Sequence, residues 1–192
     1  MEDVIEYMRN EFGITIRKVE KIEENEIFTT LSDKLEEFLN RSPLKSLIQF
    51  ESTEMNSLVE SKRNYYTLKQ HPSVTMILPD GSHLRFSPDK NNGIEITRVS
   101  VTEENRKGGL GTALMNAFQS LCIYALGYLP DMTLECTGAL GINENMKTTP
   151  INVQVKFFES FGFKVKKRNK GGYVLMEFKK EWIDEQKTNE PI

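Results

Sequence analysis

At 192 residues the chain is long enough for one domain with a sizeable core. Its composition, 38% hydrophobic and 28% charged, is that of a soluble globular protein; it lacks the long apolar run of a membrane span, and a net charge of −3 argues against general nucleic-acid binding. Two cysteines, Cys122 and Cys136, without CxxC spacing suggest neither a zinc site nor a disulfide framework, and no metal is expected.

The opening stretch, MEDVIEYMRN, is acidic and amphipathic and unlike a signal peptide, so a cytosolic protein is expected. Val4, Ile5, Met8 and Phe12 make one face of a short helix that Gly13 can end. Ile14 to Val19 reads as a strand. Ser32 to Asn40 reads as a helix with Leu35, Phe38 and Leu39 on one side, closed before Pro43. Leu44 to Phe50 is ambiguous. Thr53 to Gln70 is expected to be a polar helix with Met55, Leu58, Val59 and Tyr66 as its contacts. Neither repeats nor a linker divide the chain.

From residue 72 the pattern sharpens. Val74–Leu78 reads as a strand, Pro79-Asp80-Gly81-Ser82 as a turn, and His83–Phe86 as the returning strand. Pro88 to Gly93 is a second turn. Ile94–Val101, rich in β-branched residues, is the next strand and ends an antiparallel meander. The spacing of Leu114, Phe118, Leu121 and Ala125 then predicts a helix, and Met132–Thr137 a strand. A strand–helix–strand crossover of this length makes those two strands parallel. Thr149-Pro150 signals a helix start, with threonine as N-cap and proline first in the helix. That helix carries Val155, Phe157, Phe158 and Phe161 and stops at Gly162. Lys164–Arg168 and Tyr173–Phe178 form a closing hairpin. Cys122 and Cys136 fall in a helix and a strand and read as small buried hydrophobes. His71 and His83, without partners at metal-ligand spacing, read as surface residues. The lysine- and arginine-rich hairpin from Lys164 to Lys170 reads first as a solvated turn, and second as a patch that attracts an acidic partner.

Between strand and helix lies Arg106-Lys107-Gly108-Gly109-Leu110-Gly111. Glycines let backbone N–H groups approach an anion, the helix N-terminus adds partial positive charge, and Arg106 and Lys107 add full charges. Neither GxxxxGK[ST] nor GxGxxG is present, so a P-loop and a dinucleotide fingerprint are excluded. On its own the segment also fits a plain strand-to-helix turn.

The Arg-x-x-Gly-x-Gly pattern after a strand resembles the acetyl-CoA pyrophosphate loop of the GNAT superfamily of N-acetyltransferases. A second stretch, Phe157-Phe158-Glu159-Ser160-Phe161-Gly162-Phe163, is similar to that family's FYEKxGF segment. Together they cover roughly residues 72–180. The resemblance implies an α/β (α+β) fold with a GNAT-type mixed sheet: an antiparallel meander, then a parallel strand–helix–strand step, with helices on both faces. A single domain would comprise a mostly helical part over 1–70 and an acetyl-CoA-binding core over 72–180. It also implies that acetyl-CoA, as cosubstrate, is held by Arg106, Lys107, Gly108, Gly109, Leu110, Gly111 and Thr112. Val99, Val101, Asn152 and Phe158 complete that set. A backbone N–H near Val99 to Val101 would serve the oxyanion.

Two departures stand out. Many members have tyrosine, the usual donor to the leaving thiolate, where this chain has Phe158, and a phenyl ring cannot donate. The stretch 138–150 is longer than the family's usual gap; it reads equally as a wall of the acceptor pocket or as a variable surface loop.

For the base, Glu95 stands 11 residues before Arg106, the spacing of the catalytic glutamate in the histone-acetyltransferase branch. It reads equally as a solvent-facing strand residue. Glu135 is the second candidate, and Tyr173 a distant substitute donor. The reading is an N-acetyltransferase acting on a primary amine of a small molecule or protein by direct attack in a ternary complex. The alternative is a GNAT-fold module that holds an acyl-CoA without turnover. The acceptor is unassigned, a membrane partner is not expected, and a homodimer stays open as an assembly.

Overall fold

The structure, a computed structural model, describes residues 5–6, 9–10, 15–62, 65–137, 149–169 and 172–181. Its eight strands are β1 (Thr15–Lys21), β2 (Gln49–Lys62), β3 (Tyr65–Ile77), β4 (His83–Pro88), β5 (Ile94–Ser100), β6 (Met132–Cys136), β7 (Lys164–Arg168) and β8 (Val174–Phe178). They form one mixed sheet in the order β1-β3-β4-β5-β6-β8-β7, with β2 also paired to β3. Among the described residues three complete helices accompany it: α1 (Glu26–Arg41), α2 (Leu110–Leu126) and α3 (Ile151–Glu159). The antiparallel meander β3-β4-β5 followed by the parallel β5-α2-β6 step is the expected order.

Thr53–Gln70 is not a helix: it lies in β2 and the first part of β3, which pair antiparallel from Gln49↔Ile77 to Lys62↔Tyr65. The apolar spacing there is sparse, and Arg63-Asn64 lacks the glycine of a two-residue hairpin signal. Long-range pairing overrode a weak local pattern. Pro72, without an amide proton, sits in β3 where neither neighbour on the other edge pairs: β1 stops at Gln70 and β4 begins at Val74. The helix expected over Val4–Phe12 lies mostly outside the described residues, with helical backbone at 5–6 and 9–10. The third helix begins one residue later than expected, with Pro150 rather than Thr149 at the N-cap position.

One face of the sheet carries the core. Register places Leu84, Phe86, Ile94, Ile96, Met132, Leu134, Met176 and Phe178 on that face, and all are buried. Helix α1 starts at Asn25, whose Oδ1 accepts from Phe28 N at 2.8 Å, and turns Phe28, Leu31, Leu35 and Leu39 inward. Helix α2 turns in Leu114, Met115, Phe118, Leu121 and Cys122 and ends at Gly127, φ 78°. The Phe86 ring contacts both helices, 5.9 Å from Phe28 and 5.0 Å from Phe118 between centroids. Helix α3 packs on the same face through Phe158 on Phe163 and Phe163 on Phe178. Its end meets α2 where Gln119 Nε2 donates to Phe161 O at 3.5 Å. Consecutive right-handed crossovers that advance in one direction along the sheet put their helices on one face. Helices were expected on both faces; among the described residues α1, α2 and α3 share this one.

The second face is polar. His71, Ser73, Thr75 and Ser87 are buried there, and Arg85 Nε donates to Thr75 Oγ1 at 2.9 Å. His71, at 5% exposed, is therefore not the surface residue expected: it lies within β3, paired to Met55 of β2. His83 is half-buried. Both cysteines are free and buried, as expected. Burial pushes the Cys122 thiol up to about 12 and that of Cys136 to about 11, so neither is a nucleophile.

Candidate functional site

Strands β5 and β6 pair only from Ile94↔Met132 to Ile96↔Leu134. Beyond that, β5 continues to Ser100 and β6 to Cys136 without pairing to each other. On its other edge β5 carries one extra residue, Thr97: Phe86 pairs with Ile96 and Arg85 with Arg98. Such a bulge bends a strand and sharpens its twist. Two parallel strands thus separate at their C-terminal ends, where an open α/β sheet forms a crevice. Val99 and Val101, half-buried, lie at its β5 side.

The glycine loop follows directly. Lys107 and Gly109 are left-handed, φ 73° and 81°. Gly109 is the N-cap of α2, and the first helical bond runs from Ala113 N to Gly109 O at 2.9 Å. The N–H groups of Leu110, Gly111 and Thr112 therefore have no partner within the helix. The first turn contains no acidic residue, and no side chain caps it. Arg106, Lys107, Gly108 and Thr112 are exposed around these donors. The arrangement favours an anion of phosphate type.

Gly111 has different surroundings. A Cβ there would stand 3.4 Å from Phe157 Cζ and 3.5 Å from Val101 Cγ2. Those are ordinary contact distances, so the first turn of α2 lies against Val101 and the Phe157 ring of α3 without a clash that would require glycine. Phe157, expected on the helix but not in the site, is thus the aromatic beside the loop. Phe158 is turned into the core at 8% exposed, its ring edge-on to Phe157 at 5.0 Å. Asn152 is exposed on the first turn of α3.

The two carboxylates fall on the polar face. Glu95 is half-buried, in register with Ser87 on β4 and Thr133 on β6. Glu135 is exposed, two residues along β6 from Thr133. Ser87 Oγ is buried and without a hydrogen-bond partner among the described residues. Alternation along a strand finds this face; it does not find the orphaned hydroxyl. The structure brings the loop, α2 and the strand split together at one end of the sheet. The basic hairpin is elsewhere: Lys164, Lys166, Lys167 and Arg168 are exposed on β7, with Lys166 paired to Glu177 at 2.7 Å. Among the described residues no group of three or more His, Cys, Asp or Glu is placed to hold a metal ion, and no helix is long and apolar enough to cross a membrane.

No protein-family profile and no curated protein matches the chain. Solved structures similar to it include Ard1 from Thermoplasma volcanium, 19% identical, covering 55% of this chain and 68% of that one, TM-score 0.39. The ribosomal-protein-S18-alanine N-acetyltransferase from Escherichia coli is 13% identical, with coverages of 56% and 68% and a TM-score of 0.38. A Bacillus anthracis protein assigned as a streptothricin acetyltransferase, in complex with acetyl coenzyme A, is 17% identical, with coverages of 74% and 92% and a TM-score of 0.38. At this level of identity they assign no substrate to this chain.

Proposed function

We propose that the chain is a GNAT-superfamily acetyltransferase that moves an acetyl group from acetyl-CoA to a primary amine. The observation that carries this is the split between β5 and β6 beside an uncapped, glycine-led helix N-terminus. The fit to acetyl-CoA is favourable. Free N–H donors and basic side chains suit its pyrophosphate, and the first turn holds no competing carboxylate.

Residues 106–112 hold the pyrophosphate, and Val99 and Val101 line the strand edge along which the pantetheine arm lies. Asn152 at the start of α3 and Phe157 near its end close the other side, while Phe158, expected in this set, lies in the core. Acetyl-CoA supplies the acyl group as a thioester. The chain's work is to orient an amine toward that carbonyl, donate a backbone N–H from β5 to its oxygen, and take up the amine proton. A C–N bond forms, the C–S bond breaks, and the thiolate leaves. A thiol of pKa about 8.5 leaves without a dedicated acid, so Phe158 is compatible with turnover. Glu95 is the first choice for the base, because it stands half-buried on the central strand β5, 11 residues before Arg106. Glu135 is the second.

The loss of the donor at Phe158 favours one other reading, an acyl-CoA-binding module without turnover. Release of CoA from acetyl-CoA, followed over a panel of amines and peptides, separates the two. Acceptor-dependent release supports the enzyme. Saturable binding with no release for any acceptor supports the module.

A further inference from the structure

Asp80, in the turn between β3 and β4, has a bonding pattern that nothing in the proposed chemistry requires. Its Oδ1 accepts from Ser82 N at 3.0 Å. Its Oδ2 accepts from Ser82 Oγ at 2.7 Å, Thr102 Oγ1 at 3.0 Å and Asn105 Nδ2 at 2.8 Å. Two of these donors belong to the segment that joins β5 to α2, more than twenty residues further along the chain. Ser82 Oγ in turn accepts from Thr102 N at 3.1 Å, and Asn105 Nδ2 also reaches Thr102 Oγ1 at 3.1 Å. The next step enters the glycine loop, since Gly108 N donates to Asn105 O at 3.1 Å and Arg106 N to Glu103 O at 3.3 Å.

We propose that Asp80 is a positioning residue, a carboxylate pin that holds Thr102 and Asn105 and thereby sets the backbone of the Arg106–Gly111 loop for a diphosphate. The proposal rests on the acetyl-CoA reading of that loop. A short loop with two left-handed residues has many alternative shapes, and ordering it before the ligand arrives improves affinity by lowering the ordering cost on binding. The hydrogen bonds, led by that from the Ser82 hydroxyl, hold the Asp80 carboxyl down at about 2, so the pin is anionic throughout the physiological range.

The charge makes the test decisive in sign. A carboxylate near a diphosphate repels it, so if Asp80 acted through its charge alone, Asp80→Asn would tighten acetyl-CoA binding. If Asp80 positions the loop, Asp80→Asn leaves one acceptor oxygen where the carboxylate has two, sets an NH2 group against at least one of the donors, and loosens it. The dissociation constant for acetyl-CoA, measured by calorimetry on the full chain, should then rise roughly threefold to tenfold in Asp80→Asn and Asp80→Ala. Asn105→Ala should weaken binding too, and the double variant should be no weaker than Asp80→Ala. With a working acceptor, the change should fall on KM for acetyl-CoA and spare kcat. Asp131→Asn is the control for general destabilisation, because it removes bonds to Lys179 and the Lys180 amide far from the loop. It should lower the melting temperature without changing the dissociation constant. Wild type binding acetyl-CoA while Asp80→Asn binds equally or more tightly overturns the role of Asp80 alone. Wild type failing to bind overturns the loop reading and this proposal with it. If Asp80→Asn does not fold, Asn105→Ala decides, and unchanged affinity there overturns the proposal.

Discussion

Glu95 and Glu135 lie on one face of the sheet with different surroundings, Glu95 half-buried and Glu135 exposed. A general base needs to reach the acceptor amine, and its half-buried place on the central strand makes Glu95 the first candidate. Glu95→Gln keeps shape and hydrogen-bonding reach but removes basicity. Turnover should fall by roughly two to four powers of ten, acetyl-CoA affinity should hold, and the loss should ease as pH rises and the acceptor amine becomes neutral by itself. A pH–rate profile of wild type, Glu95→Gln and Glu135→Gln checks this; normal turnover in Glu95→Gln with loss in Glu135→Gln transfers the role. At this scale the sequence was legible where a residue type is defined by its own chemistry. Cys122 and Cys136 are the small buried groups expected. His71 was not legible, because its burial depends on which strands flank β3. The Asp80 bonds were not legible either, since they join segments distant in sequence.

At the scale of elements, glycine punctuation and apolar period located α2 and the strand before it to within a residue or two. The hairpin β2-β3 escaped because strand pairing is decided by partners rather than by local pattern. The loop's backbone shape makes its own prediction. Gly109 is left-handed with open space where a Cβ would go, so the cost of a side chain there is conformational rather than steric. Gly109→Ala should destabilise the fold by about 1 kcal/mol, whereas Gly109→Asn should cost less, since asparagine tolerates that region better. Thermal midpoints of the two variants check this, and equal losses would indicate a steric cause.

Across the whole molecule, one turn ties the meander to the crossover. The Asp80 carboxyl is lowered from 3.8 to about 2 in the folded state. A depressed carboxyl contributes stability that is fully present above its unfolded value and is lost as pH falls through its folded value. Wild type should therefore lose melting temperature between pH 4 and pH 2 more steeply than Asp80→Asn, which has no proton to take up at this position. Parallel pH–melting curves for the two proteins would contradict that linkage.

The central claim is one of place: the ligand end of the sheet is the split between β5 and β6 with the glycine loop, and not the opposite end of β5. That opposite end has a cavity of about 580 Å³ lined by Glu20, Glu23, Glu24, Asn25, Asp89 and Lys90 among others, whose carboxylates would repel a diphosphate. Amide hydrogen exchange with and without saturating acetyl-CoA tests the claim most directly. Slowed exchange is expected at Val99–Val101 and Gly108–Thr112, with no change at Ile22–Asn25 or Asp89–Asn92. Protection confined to the acidic end, or no protection at Gly108–Thr112 under saturating acetyl-CoA, would contradict it.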